Sequence, residues 1–118
     1  MAKLTIPVGE RDHAAGSRDA PTVLVEYGDF ECPHCGAAYP MLKAVQRSLG
    51  DQLRFVFRNF PLVEQHPHAQ QAAEAAEAAA VQGKFWEMHD MLFEHQNALE
   101  TADLVGYARA RGLDAERV

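Results

Sequence analysis

The chain has two cysteines, and both lie in Cys32-Pro33-His34-Cys35. The run Thr22-Val23-Leu24-Val25-Glu26-Tyr27 before them is apolar and β-branched, which predicts a strand. Residues 33–49 after them, closed by Gly50, predict a helix. Pro33 fits the first helical turn, where its missing N–H costs nothing, and Pro40 should bend the helix from inside. The pair therefore sits at a strand-to-helix junction. A thiol there faces unpaired backbone N–H groups and the positive end of the helix macrodipole, and both favour its thiolate. Two thiols at this spacing can close a small disulfide without unfolding anything. The spacing predicts a dithiol–disulfide exchange site, with Cys32 as the exposed nucleophile and Cys35 as the deeper resolving thiol.

The same cysteines admit a metal reading. Cys32 to Gly36 also spell one half of a zinc knuckle, but a closed tetrahedral site needs two further ligands. His66-Pro67-His68 is the candidate second half, and its spacing is not typical of a zinc motif. Both histidines straddle a predicted helix start and suit a solvated loop. A zinc-binding structural module thus stays as an alternative to redox chemistry, as does a non-catalytic interaction fragment. The redox reading calls for no metal and no organic cofactor.

The rest of the chain supplies a frame for the pair. Leu53-Arg54-Phe55-Val56-Phe57-Arg58 alternates with period two and predicts a second strand, so residues 21–63 should form a parallel βαβ core. Residues 1–20 read as an N-terminal arm, with a short edge strand over Leu4 to Val8 and a polar loop from Gly9 onward. Residues 67–118 turn helical. An alanine-rich helix over 70–82 is closed by Gly83. A helix over 84–96 carries Phe85, Trp86, Met88, Met91, Leu92 and Phe93 around more than one face and should be buried. A third helix should run from an N-cap at Thr101 to Gly112, and Asp114 should cap another.

Composition narrows the function classes. A net charge of −6 with no basic cluster argues against nucleic acid as a partner. No apolar run approaches the ~20 residues of a membrane span. Charges within the first 13 residues stand where a signal peptide would have its apolar core, which predicts a cytoplasmic protein. In that compartment a lone Cys-x-x-Cys is catalytic more often than structural.

The segment from Val23 to Cys35 resembles the active-site region of the DsbA-like branch of the thioredoxin superfamily. Three features beyond the cysteines carry the likeness. Glu26 stands six residues before Cys32, where the superfamily keeps a buried acid. Pro40 stands eight residues after Cys32, where it kinks the first helix. Residues 54–62 resemble the next strand and its exit in this branch. The resemblance implies an α/β, thioredoxin-like βαβ core with an all-helical insert. It further implies that the C-terminal ββα part, with its cis-proline beside the cysteines, is lacking, so the chain is similar to the first two thirds of a member.

The resemblance also assigns roles. It implies thiol–disulfide oxidoreduction through Cys32 and Cys35, with protein or small-thiol substrates and a redox recycling partner. Pro33 and His34 between the cysteines point towards an oxidant or isomerase. His34 can favour the Cys32 thiolate electrostatically. Glu26, in a strand expected to be covered on both faces, should have a raised pKa and relay protons to or from Cys35. Asp29 and Glu31 flank the turn and read as solubilising charges that oppose thiolate formation. An incomplete sheet would leave open edges, which a homodimer or a domain swap could cover.

Overall fold

The computed structural model describes residues 6–115. Strand β1 is His13–Gly16, β2 is Thr22–Gly28, helix α1 is Pro33–Leu49, and β3 is Leu53–Asn59 after a short 3-10 turn at Gly50–Gln52. Helices α2 (Ala69–Val81), α3 (Phe85–Glu94) and α4 (Thr101–Ala110) follow. The strands form one sheet in the order β1-β3-β2. β2 runs parallel to β3, with Thr22 opposite Leu53 and Glu26 opposite Phe57. This is the βαβ unit expected from the alternation of apolar residues. β1 pairs antiparallel with β3, His13 opposite Phe57.

β3 is the central strand, and its composition explains why. Phe55 and Phe57 point to one face and are fully buried against the helices, while Val56 on the opposite face is equally inaccessible. Buried aromatics of this kind each contribute roughly 1.5–3 kcal/mol of burial free energy. α2 presents Ala72, Ala75, Ala76 and Ala79 to the same core. Short side chains let it approach α3 closely, and α3 returns Phe85, Met88, Leu92 and Phe93. Leu104 and Ala108 of α4 close the cluster.

Several expectations need correction. Among the described residues the N-terminal edge strand is β1. Leu4 and Thr5 lie outside the described residues, and Ile6, Pro7 and Val8 form no strand. Arg58 takes their backbone instead: its guanidinium donates to the Ile6 carbonyl at 2.8 Å and the Pro7 carbonyl at 3.2 Å. It also grips both carboxylate oxygens of Asp12 at 2.7 and 2.9 Å. The cap of α4 is Glu100, one residue earlier than Thr101, because Glu100 and Asp103 satisfy each other's backbone N–H groups in a capping box. The helix expected after Asp114 would fall largely on residues 116–118, outside the described residues.

β2 is not covered on both faces. It is the outer strand of the sheet, and Val23 is 48% and Tyr27 50% exposed. α1 has no fully buried residue along its whole length, and Met41 is 69% exposed. Only α3 and β3 support that helix substantially among the described elements. The two elements that flank the cysteine turn, β2 and α1, are therefore open to solvent along much of their length.

Candidate active site

The turn between β2 and α1 is built by its own backbone. The Asp29 carbonyl accepts the Cys32 N–H at 3.1 Å, and the Cys32 carbonyl accepts the Gly36 N–H at 3.0 Å, the opening bond of the helix. Cys32 is the N-cap residue, with extended dihedrals of φ −71° and ψ 125°. Pro33 opens the helix, no acidic residue occupies its first turn, and no side-chain oxygen caps it. The capping position that serine or aspartate commonly fills is thus held by a thiol, next to the unpaired N–H groups of the first turn.

Both cysteines are free thiols. Their exposures are the reverse of the expectation. Cys32 is only 9% exposed, whereas Cys35 is half-buried. The turn that holds Cys32 is backed by the loop after α3. Cys35 lies one turn into a helix that nothing buries fully. Partial burial still pushes the Cys35 thiol up to about 11, with added repulsion from Cys32 and Glu26, partly offset by the Asp29 backbone. At neutral pH Cys35 is a protonated thiol.

Glu26 ends the half-buried part of β2, and desolvation pushes its carboxyl up to about 6. That is the direction expected of a partly buried acid, reached although the strand's neighbours Val23 and Leu24 are open to solvent. Pro33 and His34 are exposed. Pro33 borders a cleft of about 570 Å³ whose other walls include Glu31, His68, Gln96 and Leu99.

The sequence did not signal how firmly this turn is tied down. Asp29, read as a solubilising charge, is 3% exposed. Its Oδ1 accepts the Glu31 N–H at 2.8 Å, and its Oδ2 accepts the Leu62 N–H at 2.9 Å and faces His66 Nδ1 at 2.7 Å. Glu31 binds His68 twice, at the backbone N–H and at Nδ1, each at 2.7 Å. The loop after β3 is thereby fastened to the cysteine turn. The bond from Asp29 to the residue two ahead is a local turn habit of aspartate, so that part was open to a sequence reading. The histidine partners were not. They also weaken the zinc alternative: His66 and His68 are engaged by carboxylates, and among the described residues no three histidine, cysteine or acidic side chains stand together as a ligand set. A further residue without a sequence signal is Gln96, whose side-chain amide donates to the Phe30 and Cys32 carbonyls, both at 2.9 Å.

Known proteins share this fold. Residues 9–118 match the family model described as Thioredoxin. A thioredoxin-like oxidoreductase from Silicibacter pomeroyi DSS-3 superposes with a TM-score of 0.83 at 27% identity, over 92% of this chain and 61% of that one. The thiol-disulfide exchange protein α-DsbA2 from Wolbachia pipientis gives 0.78 at 19% identity, over 88% of this chain and 55% of its own, a likeness of fold. In sequence, the chain is 56% identical over 117 residues to a protein of Salinispora arenicola (strain CNS-205) named Na(+)/H(+) antiporter NhaA 1. It spans 97% of this chain but only 18% of that relative's length. The family match covers nearly the whole chain, and the chain belongs to the thioredoxin family, as a partial domain with the fold of its DsbA-like thiol–disulfide oxidoreductases.

Proposed function

We propose that this chain exchanges disulfides with protein or small-thiol substrates through Cys32 and Cys35. The observation that carries the reading is the position of Cys32 as the N-cap of α1, with Cys35 one turn later as a protonated thiol raised to about 11. Cys32 attacks one sulfur of a substrate disulfide as thiolate, and the substrate's other sulfur leaves as thiolate. Cys35 then gives up its proton and attacks Cys32 Sγ, which closes the Cys32–Cys35 disulfide and releases the substrate's second sulfur. The reverse sequence oxidises a substrate dithiol. Glu26, raised to about 6, is ionised at neutral pH and accepts the Cys35 proton. The low exposure of Cys32 suits its attack on a narrow sulfur electrophile, with Pro33 and His34 on the open side.

The relatives named as antiporters share with this chain a part amounting to 18% of their length. No helix among the described residues is long and apolar enough to cross a membrane. Antiport stays with those proteins, and thiol exchange is the activity proposed for the part they share. A recycling partner of opposite redox state completes the cycle, and cytoplasmic location remains part of this proposal.

The test is equilibration with glutathione followed by alkylation of free thiols and mass measurement. Wild type should lose both thiols together as the buffer becomes oxidising and should catalyse insulin reduction. Cys32→Ser should abolish turnover, and Cys35→Ser should accumulate a mixed disulfide at Cys32. A wild-type protein that keeps both thiols free across the glutathione range would overturn the reading.

A further inference from the structure

Gln96 lies in the loop between α3 and α4, far in sequence from the cysteines. Its Nε2 is 2.9 Å from the carbonyl oxygens of Phe30 and of Cys32. A primary amide has two N–H donors, and this one spends both on the same turn, on either side of Glu31. The Cys32 carbonyl already accepts the Gly36 N–H at 3.0 Å, so Gln96 fills its second lone pair. Phe30 is 1% exposed, and Gln96 supplies its carbonyl with a donor where water has little access.

Gly36 is fitted to the same side chain. A Cβ built there would overlap the Gln96 amide oxygen and carbon. Gly36 lies within α1 and does not need a left-handed backbone, so its conformation alone does not call for glycine. Close approach of Gln96 does. Two residues on separate elements are thus shaped to each other around one peptide unit of the dithiol turn.

We propose that Gln96 is a positioning residue for the dithiol. It clamps the backbone of the cysteine turn in the reduced geometry and so raises the oxidising strength of the Cys32–Cys35 disulfide. This rests on the thiol-exchange reading above. With the carbonyls of Phe30 and Cys32 drawn towards Gln96, the peptide planes at the start of α1 are fixed. Closing the disulfide brings the two Sγ atoms to about 2 Å and demands specific Cβ geometry, which in this proposal the turn reaches by working against the clamp. The clamp is made with both thiols free; in this proposal disulfide closure loosens it, so that it favours the dithiol.

The experiment measures the equilibrium of protein dithiol plus glutathione disulfide with protein disulfide plus two glutathione thiols, on wild type, Gln96→Ala and Gly36→Ala. Loss of the clamp should shift the constant towards protein disulfide by about fivefold, the scale of one net hydrogen bond. Gly36→Ala displaces the Gln96 amide without altering it, and alanine is the better helix former. That variant should stay folded and shift in the same direction even if Gln96→Ala unfolds. Circular dichroism confirms folding in each case. Folded variants whose constants match wild type, or shift towards dithiol, overturn the inference. A wild type that forms no Cys32–Cys35 disulfide at all overturns the thiol-exchange reading instead.

Discussion

His66 Nδ1 stands 2.7 Å from Oδ2 of Asp29, an acid that is 3% exposed and only three residues before Cys32. The pair joins the loop after β3 to the turn that starts α1. It means that the cysteine turn is braced from two directions, by Asp29 and Glu31 on one side and by Gln96 on the other.

Asp29→Ala should destabilise the protein by about 3 kcal/mol, because it strands the half-buried Leu62 and Glu31 N–H groups and the His66 ring at once. His66→Ala should cost less, about 1 kcal/mol, since the two backbone donors keep their acceptor. Urea denaturation reads both. Equal losses for the two variants would show that the backbone bonds contribute nothing beyond the imidazole.

Glu26 gives a pH signature. Its folded carboxyl titrates at about 6, above the ordinary value of 4.5, so the folded state binds the proton more tightly than the unfolded chain does. Stability should therefore fall as pH rises from about 4.5 through 6, and Glu26→Gln should remove that fall. The gain at pH 7 should be about 1 kcal/mol, reduced by solvent screening of a half-buried group. In exchange assays the wild-type rate of Cys35 resolution should rise through pH 6, as Glu26 becomes a proton acceptor, while Glu26→Gln accumulates mixed disulfide. Acid-quenched samples resolved by mass would show it, and identical profiles for both proteins would remove Glu26 from the proton path.

His34 is exposed beside Cys32, and in the proposed mechanism it acts on the thiolate through charge alone. His34→Ser should make the disulfide less oxidising by about 30 mV, or ~1.4 kcal/mol for the two-electron couple. Redox titration against glutathione checks this. An unchanged or higher potential would reduce His34 to a surface turn residue.

His89 predicts acid sensitivity of another origin. It is 3% exposed among Phe57, Trp86 and Phe93, with ring centroids 4.8, 4.8 and 5.1 Å away, and its Nε2 has no partner among the described residues. Burial holds its pKa below the ordinary 6.5, against the pull of Asp90, while Lys43 and His13 add to the lowering. The unfolded chain then binds the proton first, so stability is full above about 6.5 and is lost as pH falls below it. His89→Phe should melt no lower than wild type at pH 7 and should lose less at pH 5. A steeper acid loss in that variant would contradict the assignment.

The open flank should show itself in solution. Val23 and Tyr27 are about half exposed and Met41 more so, and β2 presents an unpaired edge among the described strands. The 118-residue chain should dimerise or associate further, and Met41→Lys with Val23→Lys should reduce that association in light scattering. A monomer in light scattering would show that the flank needs no cover.

What the residues themselves determined is mostly local. Strand β2, helix α1 with Pro33 at its start, and strand β3 follow from β-branched alternation, proline and glycine placement, and helix-capping rules, which act within a few neighbours. The position of the dithiol at a helix start follows from the same rules. Tertiary structure decided which cysteine is covered, which strand is the edge, and what anchors the turn. Arg58 took up the backbone where an edge strand was expected, and β1 formed further on. His66, His68 and Gln96 reach the cysteine turn across at least 35 residues of chain, so no periodicity or spacing records them. Hydrogen bonds between distant segments depend on where packing delivers them, and packing is a property of the whole core rather than of any window of sequence.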